Sequence, residues 1–280
     1  MKRSGRQMPA QGPGARVVRG VVLNGVFRPI INLYVHPEVS GLENLAELEP
    51  PFLLAPNHSS HMDTPLLLMS LPPELRRRTV VAAASDYFYT RKMLGAFVSM
   101  ALGAVPMERR AASRKSMDRM ERLLDQKWAV VLFPEGSRTP DGQLYRGKTG
   151  IGRIALKAGV PIVPVGITGT YQAMPGGRSW PVPAQAHVRF GKPLSFERYA
   201  HGPANQLVLR AIADQIMYEI MMLTGLTYVD KYVSSAKQGA TPGHRVPAAD
   251  AGAAEGDGPA EAAGGPHGAG QPDEADEPDD

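Results

Sequence analysis

Short apolar runs alternate with amphipathic segments through the middle of the chain. Continuous apolar runs bounded by turn residues are typical of buried strands, whereas apolar residues at every third or fourth position are typical of helices. Trp128–Phe133 (WAVVLF) is the clearest predicted strand, because a strand buried on both faces needs no polar alternation. Ser113–Gln126 is the clearest predicted helix, with Met117, Met120 and Leu124 on one face.

The other segments complete an alternating order of strands and helices. Further strands are predicted over Phe52–Ala55, Thr79–Ala84, Ala104–Met107, Ile162–Val165 and His187–Phe190. Further helices are predicted over Pro65–Leu71, Thr149–Ala158 and Asn205–Leu223. Strands separated by helices predict an α/β fold with a single central, mostly parallel sheet flanked by helices.

Composition and charge divide the 280-residue chain into three parts. Residues 1–15 are predicted to be a flexible basic leader, residues 16–235 one domain, and residues 236–280 a disordered tail, since the tail has no Leu, Ile or aromatic residue. The tail holds ten acidic and two basic residues, a net charge of −8. Because the whole chain has a net charge of +4, residues 1–235 carry +12. A basic body indicates anionic partners: phosphorylated small molecules, acidic lipid headgroups or nucleic acid.

Residues 16–36 form the first apolar stretch, but Arg19, Asn24 and Arg28 interrupt it. It therefore lacks the run of about 18 uncharged residues expected of a membrane-spanning helix. Two interpretations remain open: a membrane-interfacial amphipathic segment with its arginines at the headgroups, or a helix packed on the domain. The chain has no Cys, which excludes disulfides, Cys-ligated metals and thiol nucleophiles, and no secretory signal is recognisable.

Two histidines, an aspartate and two serines follow the strand Phe52–Ala55. His58 and Asp63 are five residues apart, about 500° on an ideal helix, so they can meet only if His58 lies in the turn before the helix and Asp63 on its first turn. A carboxylate there would fix the tautomer of His58 and make it a general base for a hydroxyl. The alternative is that Asn57 or a serine caps the helix and the histidines are surface residues.

A second polar cluster, Phe133–Arg138 (FPEGSR), follows the strand Trp128–Phe133. Glu135 and Arg138 bring a carboxylate and a guanidinium to this strand end, and Gly136 allows a tight turn. An ordinary turn with solvated charges is the alternative interpretation. Because both clusters follow strands of one sheet, a shared cleft is predicted.

Four sequence blocks together resemble the glycerolipid acyltransferase superfamily, and within it the 1-acyl-glycerol-3-phosphate acyltransferases. The blocks are Asn57-His58-x4-Asp63, Gly103–Arg109 (GAVPMER), Phe133–Arg138 (FPEGSR) and Val160–Val165 (VPIVPV). They occur in the family's order within residues 39–194. His61 stands where the family often has an aromatic residue, and Thr64 where an apolar residue is expected.

The resemblance implies a glycerolipid-acyltransferase-like fold and a role for each matching residue. His58 would be the general base and Asp63 its orienter. The substrate-binding positions would be Arg109, Glu135, Gly136, Ser137, Arg138 and Pro161. Arg109 would bind the phosphate of the acceptor near Glu135 and Gly136, Arg138 would be a further anion contact, and Pro161 would lie near the acyl donor.

The implied reaction moves a fatty acyl group from acyl-CoA or acyl-carrier protein to the hydroxyl of a lysophospholipid, lysophosphatidate above all, with no metal and no cofactor. The partners expected are these substrates and an anionic membrane surface, with the enzyme peripheral or monotopic at the cytoplasmic face and no nucleic acid bound. One rival is a metal-dependent hydrolase using His58, His61 and Asp63, which metal analysis would reveal. Another is a non-catalytic module that binds anionic lipid or nucleic acid, although the basic runs lack interleaved aromatic residues.

Overall fold

The computed structural model describes residues 12–84, 102–107, 114–178, 180–199 and 205–239. The strands in these ranges are β1 (Pro37–Ser40), β2 (Phe52–Pro56), β3 (Thr79–Ala84), β4 (Ala104–Met107), β5 (Ala129–Val131), β6 (Leu144–Tyr145), β7 (Ile162–Thr168), β8 (Ala186–Phe190) and β9 (Tyr228–Val229). The α-helices are α1 (Pro13–Val22), α2 (Arg28–Tyr34), α3 (Asp63–Ser70), α4 (Pro73–Arg77), α5 (Arg114–Asp125), α6 (Gly150–Ala158), α7 (Thr170–Ala173), α8 (Gln206–Thr224) and α9 (Val233–Gly239). A π-helical turn, Leu23–Phe27, joins α1 to α2.

Seven strands form one sheet in the order β1-β8-β7-β2-β5-β3-β4. Neighbouring strands run parallel except β7 and β8, which are antiparallel. From central β2 the chain crosses to β3 on one side of the sheet and later reaches β7 on the other. The order therefore reverses at β2, and the crevice at the carboxyl ends of strands beside such a reversal is where α/β proteins bind ligands. The predicted mostly parallel sheet flanked by helices is confirmed.

Two apolar cores lie on opposite faces of this sheet. Alternate residues of β2 point to opposite faces, so Phe52 and Leu54 join the core beneath α2 and α3, while Leu53 and Ala55 join the core beneath α5, α6 and α8. Every residue of β2 is buried, as expected for a parallel strand covered on both faces. The strand is therefore held rigidly up to the point where the polar residues begin.

The segment at residues 16–36 is helical and packs on the domain. Arg19 is buried, and its Nη1 donates to the carbonyl of Thr79 at 2.7 Å. Burial, followed by the charge of Arg76, lowers the pKa of Arg19 to about 10. Of the two interpretations left open by the sequence, the contact of Arg19 agrees with the helix packed on the domain. Val17 and Leu33, with exposed fractions of 67% and 65%, leave an apolar surface on the outer side.

Several predicted elements have different bounds in the structure. β7 continues three residues beyond the predicted Val165, through a glycine that would ordinarily weaken a strand. Gly166 is required there, because a Cβ atom would lie 2.8 Å from the Cβ of Leu223 on α8. The short strand β1 and helix α4 were not predicted, and α3 begins at Asp63 instead of Pro65.

Two helices overlap the predicted ends of the domain. α1 starts at Pro13, within the leader predicted over residues 1–15, and α9 ends at Gly239, within the tail predicted from residue 236. Residues 240–280 and Arg109 lie outside the described residues. No helix in the described ranges is both long enough and apolar enough to cross a membrane.

Candidate active site

Three turns of the chain meet at the carboxyl edge of the sheet. Residues 57–62 follow β2, residues 132–139 follow β5, and Gly169 follows β7. Since β2 pairs in parallel with both β5 and β7, the ends of all three strands lie side by side. The first two polar clusters therefore lie side by side, as predicted, and a third turn, at Gly169, lies next to them.

His58 and Asp63 form a hydrogen-bonded pair in this cleft. Nδ1 of His58 lies 2.8 Å from Oδ2 of Asp63. The pair can form because His58 lies in the turn before α3 and Asp63 is the first residue of that helix. The Asp63 side chain is completely buried, while 18% of the His58 side chain is exposed. A carboxylate acceptor assigns the hydrogen to Nδ1, which leaves Nε2 as the nitrogen that can take a proton.

The carboxylate of Asp63 is surrounded by further donors. The backbone N–H groups of Ser59 and Ser60 donate to Oδ2 at 2.7 and 2.8 Å. The hydroxyl of Thr170, which is itself buried, donates to Oδ1 at 2.5 Å. Because a buried polar group is costly unless hydrogen-bonded, these contacts both satisfy the carboxylate and fix its orientation towards His58.

Asn57 fixes the turn to the neighbouring strand. Its side-chain amide donates to the carbonyl of Ile167 at 2.8 Å, and its Oδ1 accepts from the N–H of Ile167 at 2.7 Å. The amide thus substitutes for a backbone partner of β7 just where β2 ends. Asn57 therefore links two strands. It does not cap α3, which was one of the interpretations left open by the sequence.

Glu135 holds the His58 turn from the other side. One carboxylate oxygen accepts from the backbone N–H of His58 at 2.7 Å and the other from that of Tyr145 at 2.8 Å. Burial raises the pKa of Glu135 to about 8, against the opposing effect of these two donors. The N–H of Thr139 donates to the carbonyl of His58 at 2.9 Å, and the ring of Phe133 stacks on the imidazole with centroids 4.0 Å apart. The Phe133–Arg138 block therefore encloses His58.

Positive charge lies beside the same turn. The side chain of Lys148 passes over Gly136, so closely that a Cβ atom on this glycine would lie 2.7 Å from Nζ. Gly136 also has a φ of +76°, which favours glycine for a second reason. Partial burial, followed by the positive charge of Arg138, lowers the pKa of His61 to about 4. His61, unlike His58, has no carboxylate partner among its described hydrogen bonds and is exposed.

Known proteins resemble the chain over the region that builds this cleft. The model of the acyltransferase family matches residues 36–168. The chloroplastic 1-acyl-sn-glycerol-3-phosphate acyltransferase of Brassica napus is 34% identical over 143 residues, which make up 50% of this chain and 39% of that protein. The corresponding enzyme of Arabidopsis thaliana is 34% identical over 142 residues, 50% of this chain and 38% of that protein. The chain therefore contains a region, residues 36–168, that matches the acyltransferase family.

These matches confirm the resemblance to the glycerolipid acyltransferases that the four sequence blocks predicted. The chain spans about two fifths of the length of the two plant relatives. The crystal structure of the 1-acyl-sn-glycerophosphate acyltransferase of Thermotoga maritima is similar in fold, with a TM-score of 0.56 and 24% sequence identity, and the likeness covers 80% of this chain and 83% of that one.

The acyltransferase cleft contains most of the residues predicted from sequence. Those in the turns at the carboxyl edge are His58, Asp63, Glu135, Gly136, Ser137 and Arg138. Glu135 was expected to bind substrate, and in the structure its two oxygens accept from the backbone N–H groups of His58 and Tyr145. Lys148, just before α6, lies over Gly136 in the same cleft.

Pro161 lies at the other end of the sheet. It precedes β7, and its carbonyl accepts from the N–H of Leu53 near the start of β2 at 3.0 Å. Seven residues of extended chain, roughly 23 Å, separate Pro161 from Thr168 at the carboxyl edge. The structure therefore does not bring Pro161 together with the His58–Asp63 pair, because the two ends of a strand lie at opposite edges of the sheet.

Thr170 is a residue of the cleft that was not predicted from sequence. It lies five residues beyond the Val160–Val165 block, and the strand was predicted to end at Val165. The available signal in the sequence was Gly169, since glycine is a strong marker of turns. Within the described residues, no group of three or more acidic or histidine side chains is placed to hold a metal ion.

Proposed function

We propose that this acyltransferase moves a fatty acyl group from the thioester of acyl-CoA or acyl-carrier protein to the hydroxyl of 1-acylglycerol-3-phosphate, which yields phosphatidate. The observation that carries the proposal is the His58–Asp63 pair, with Nδ1 bound to a buried carboxylate and Nε2 left to act. The names of the matching plant enzymes support the choice of acceptor. The human beta form, 32% identical over 159 residues, carries the same enzyme name.

The proposed reaction needs one general base and no covalent enzyme intermediate. Nε2 of His58 takes the proton of the acceptor hydroxyl while Asp63 stabilises the imidazolium that forms. The oxygen attacks the thioester carbonyl, and the tetrahedral oxyanion collapses to the new ester. The carrier leaves as a thiolate, which the imidazolium protonates. All atoms and protons are accounted for by the two substrates, so the reaction as proposed uses neither metal nor redox cofactor.

The phosphate of the acceptor is proposed to bind beside the Phe133–Arg138 turn. Arg138 and Lys148 supply positive charge there, and Arg109 is proposed as a further phosphate ligand because a guanidinium can bind phosphate through two hydrogen bonds. Gly136 is exposed in the same turn, and Ser137 beside it is half-buried. Glu135 supports this site from beneath by holding the backbone of His58.

A peripheral position at the cytoplasmic face of an anionic membrane is part of the proposal. It is supported by the charge of +12 on residues 1–235 and by the exposed apolar side chains of the N-terminal helices, such as Val17, Val21 and Leu33. Each basic residue near an anionic bilayer contributes about 1 kcal/mol of attraction. Deleting residues 240–280, with ten acidic residues, should tighten co-sedimentation with acidic vesicles at low salt and less so at high salt. Equal binding of both forms would leave the tail without an electrostatic role.

The activity is tested by offering purified protein acyl-CoA or acyl-carrier protein together with a panel of hydroxyl acceptors. The panel contains lysophosphatidate, other lysophospholipids and monoacylglycerol, and products are identified by mass. Phosphatidate should form fastest, and the His58→Ala variant should form almost none. A faster reaction with another acceptor would change the substrate but keep the chemistry. Hydrolysis of the thioester without transfer to any acceptor would contradict the proposal.

A further inference from the structure

Asp63 is held by two different parts of the chain. Oδ2 accepts from His58, Ser59 and Ser60, which all belong to the turn that carries the general base. Oδ1 accepts from the hydroxyl of Thr170, at the end of another strand. Among the hydrogen bonds of the described residues, this is the one that reaches the carboxylate of Asp63 from outside the Asn57–Asp63 block.

Local geometry leaves Thr170 little freedom. Gly169 has a φ of +83°, and a Cβ atom there would lie 1.9 Å from the carbonyl oxygen of Gln185, so only glycine fits. The helical turn α7 then runs from Thr170 to Ala173, and the carbonyl of the next residue, Met174, accepts from the hydroxyl of Ser60 at 2.7 Å. α7 is thus fixed to the His58 turn at two points, through Thr170 and through Met174.

We propose that Thr170 is a positioning residue for the general base. Its hydroxyl fixes the carboxylate of Asp63 in the orientation that keeps the hydrogen of His58 on Nδ1 and frees Nε2 for the acceptor hydroxyl. Without the hydroxyl, Oδ1 is a buried acceptor with no donor in the described structure, and the carboxylate is held through Oδ2 alone. This inference rests on the proposed function insofar as it concerns the rate of acyl transfer.

Matched substitutions separate the hydroxyl from the shape of the side chain. Thr170→Val keeps the shape and removes the hydroxyl, whereas Thr170→Ser keeps the hydroxyl. The valine variant should lose about 10- to 150-fold in kcat, the rate equivalent of one hydrogen bond to a charged group, while KM for both substrates stays unchanged. The serine variant should recover most of the rate. If the valine variant does not fold, Thr170→Ala removes the same hydroxyl with less bulk beside Asp63.

The tautomer of His58 gives a readout that does not depend on activity. In ¹⁵N-labelled protein, with the His58 signals assigned through the His58→Ala variant, the wild type and Thr170→Ser should show one imidazole tautomer protonated at Nδ1. Thr170→Val should show a mixture. Wild-type kcat together with a single tautomer in the folded valine variant would overturn the inference. An inactive wild type would defeat the proposed function, while the tautomer comparison would still decide the role of Thr170.

Discussion

The two edges of the seven-stranded sheet differ in how they carry charge. At the carboxyl edge, Asp63 and Glu135 have at most 1% of their surface exposed, and each of their carboxylate oxygens accepts a hydrogen bond. At the amino edge, Lys157 of α6 pairs with Glu121 of α5 at the surface, where the lysine side chain is 54% exposed. A solvated ion pair contributes little to the free energy of folding and does little to fix neighbouring side chains. A buried carboxylate with all its hydrogen bonds made fixes the groups around it. The chemistry is therefore expected at the carboxyl edge alone.

The largest effect is expected from the general base. His58→Ala should lower kcat by roughly 100- to 10,000-fold, the usual contribution of general-base catalysis, with folding retained. His61→Ala is the matched control: it lies three residues away in the same turn, is exposed, and has a pKa lowered to about 4 that keeps it neutral near pH 7. Steady-state kinetics of the two variants decide the assignment. A loss of activity in His61→Ala with a near-normal His58→Ala would reverse it.

Asp63→Asn should be nearly as damaging as His58→Ala. An amide has one acceptor oxygen and no negative charge. If its nitrogen takes the place of Oδ2, it faces His58 Nδ1 and the backbone N–H groups, and the wrong imidazole tautomer follows. If its nitrogen takes the place of Oδ1, it faces Thr170, and the imidazolium still loses the charge that stabilises it. The expected loss in kcat is again about 100-fold or more. Asp118→Asn, on the exposed face of α5, is the control and should be close to wild type. Equal activity of the two variants would remove Asp63 from the mechanism.

A smaller effect, on substrate binding, is expected from Lys148. Lys148→Met removes the ammonium over Gly136 and should raise KM for lysophosphatidate about 10-fold, as for one lost charged hydrogen bond, with little change in kcat. Lys157→Met removes an equal charge at the amino edge and should leave KM unchanged. The comparison is measured with lysophosphatidate and with monoacylglycerol, which has no phosphate. An equal rise in KM for both acceptors would show that Lys148 does not recognise phosphate.

The sequence predicted the contents of the cleft better than the contacts within it. His58, Asp63 and the Phe133–Arg138 block were predictable because they follow continuous apolar strands, and strand ends of a parallel sheet meet at one edge. Thr170 was not, since its importance depends on Oδ1 of Asp63 coming within 2.5 Å of it across 107 residues of chain. The contacts of Glu135 were not predictable for the same reason: its partners are backbone N–H groups, which leave no trace in side-chain identity.

The sharpest comparison of the two edges uses a single strand, because β7 begins next to Pro161 and ends just before Thr170. The Pro161 carbonyl bond to Leu53 is a backbone contact that alanine can keep. Pro161→Ala should therefore cost only about 0.4–1 kcal/mol of unfolding free energy, through greater freedom of the unfolded chain. Thermal or denaturant unfolding measures this loss, and both KM values and kcat should remain within about twofold of wild type, since the surface near Pro161 is far from His58.

Thr170→Val, at the other end of the strand, should show the reverse: a large fall in kcat. A selective rise in the acyl-donor KM of Pro161→Ala would contradict this division, because it would mean that the donor reaches from the carboxyl edge to the amino edge.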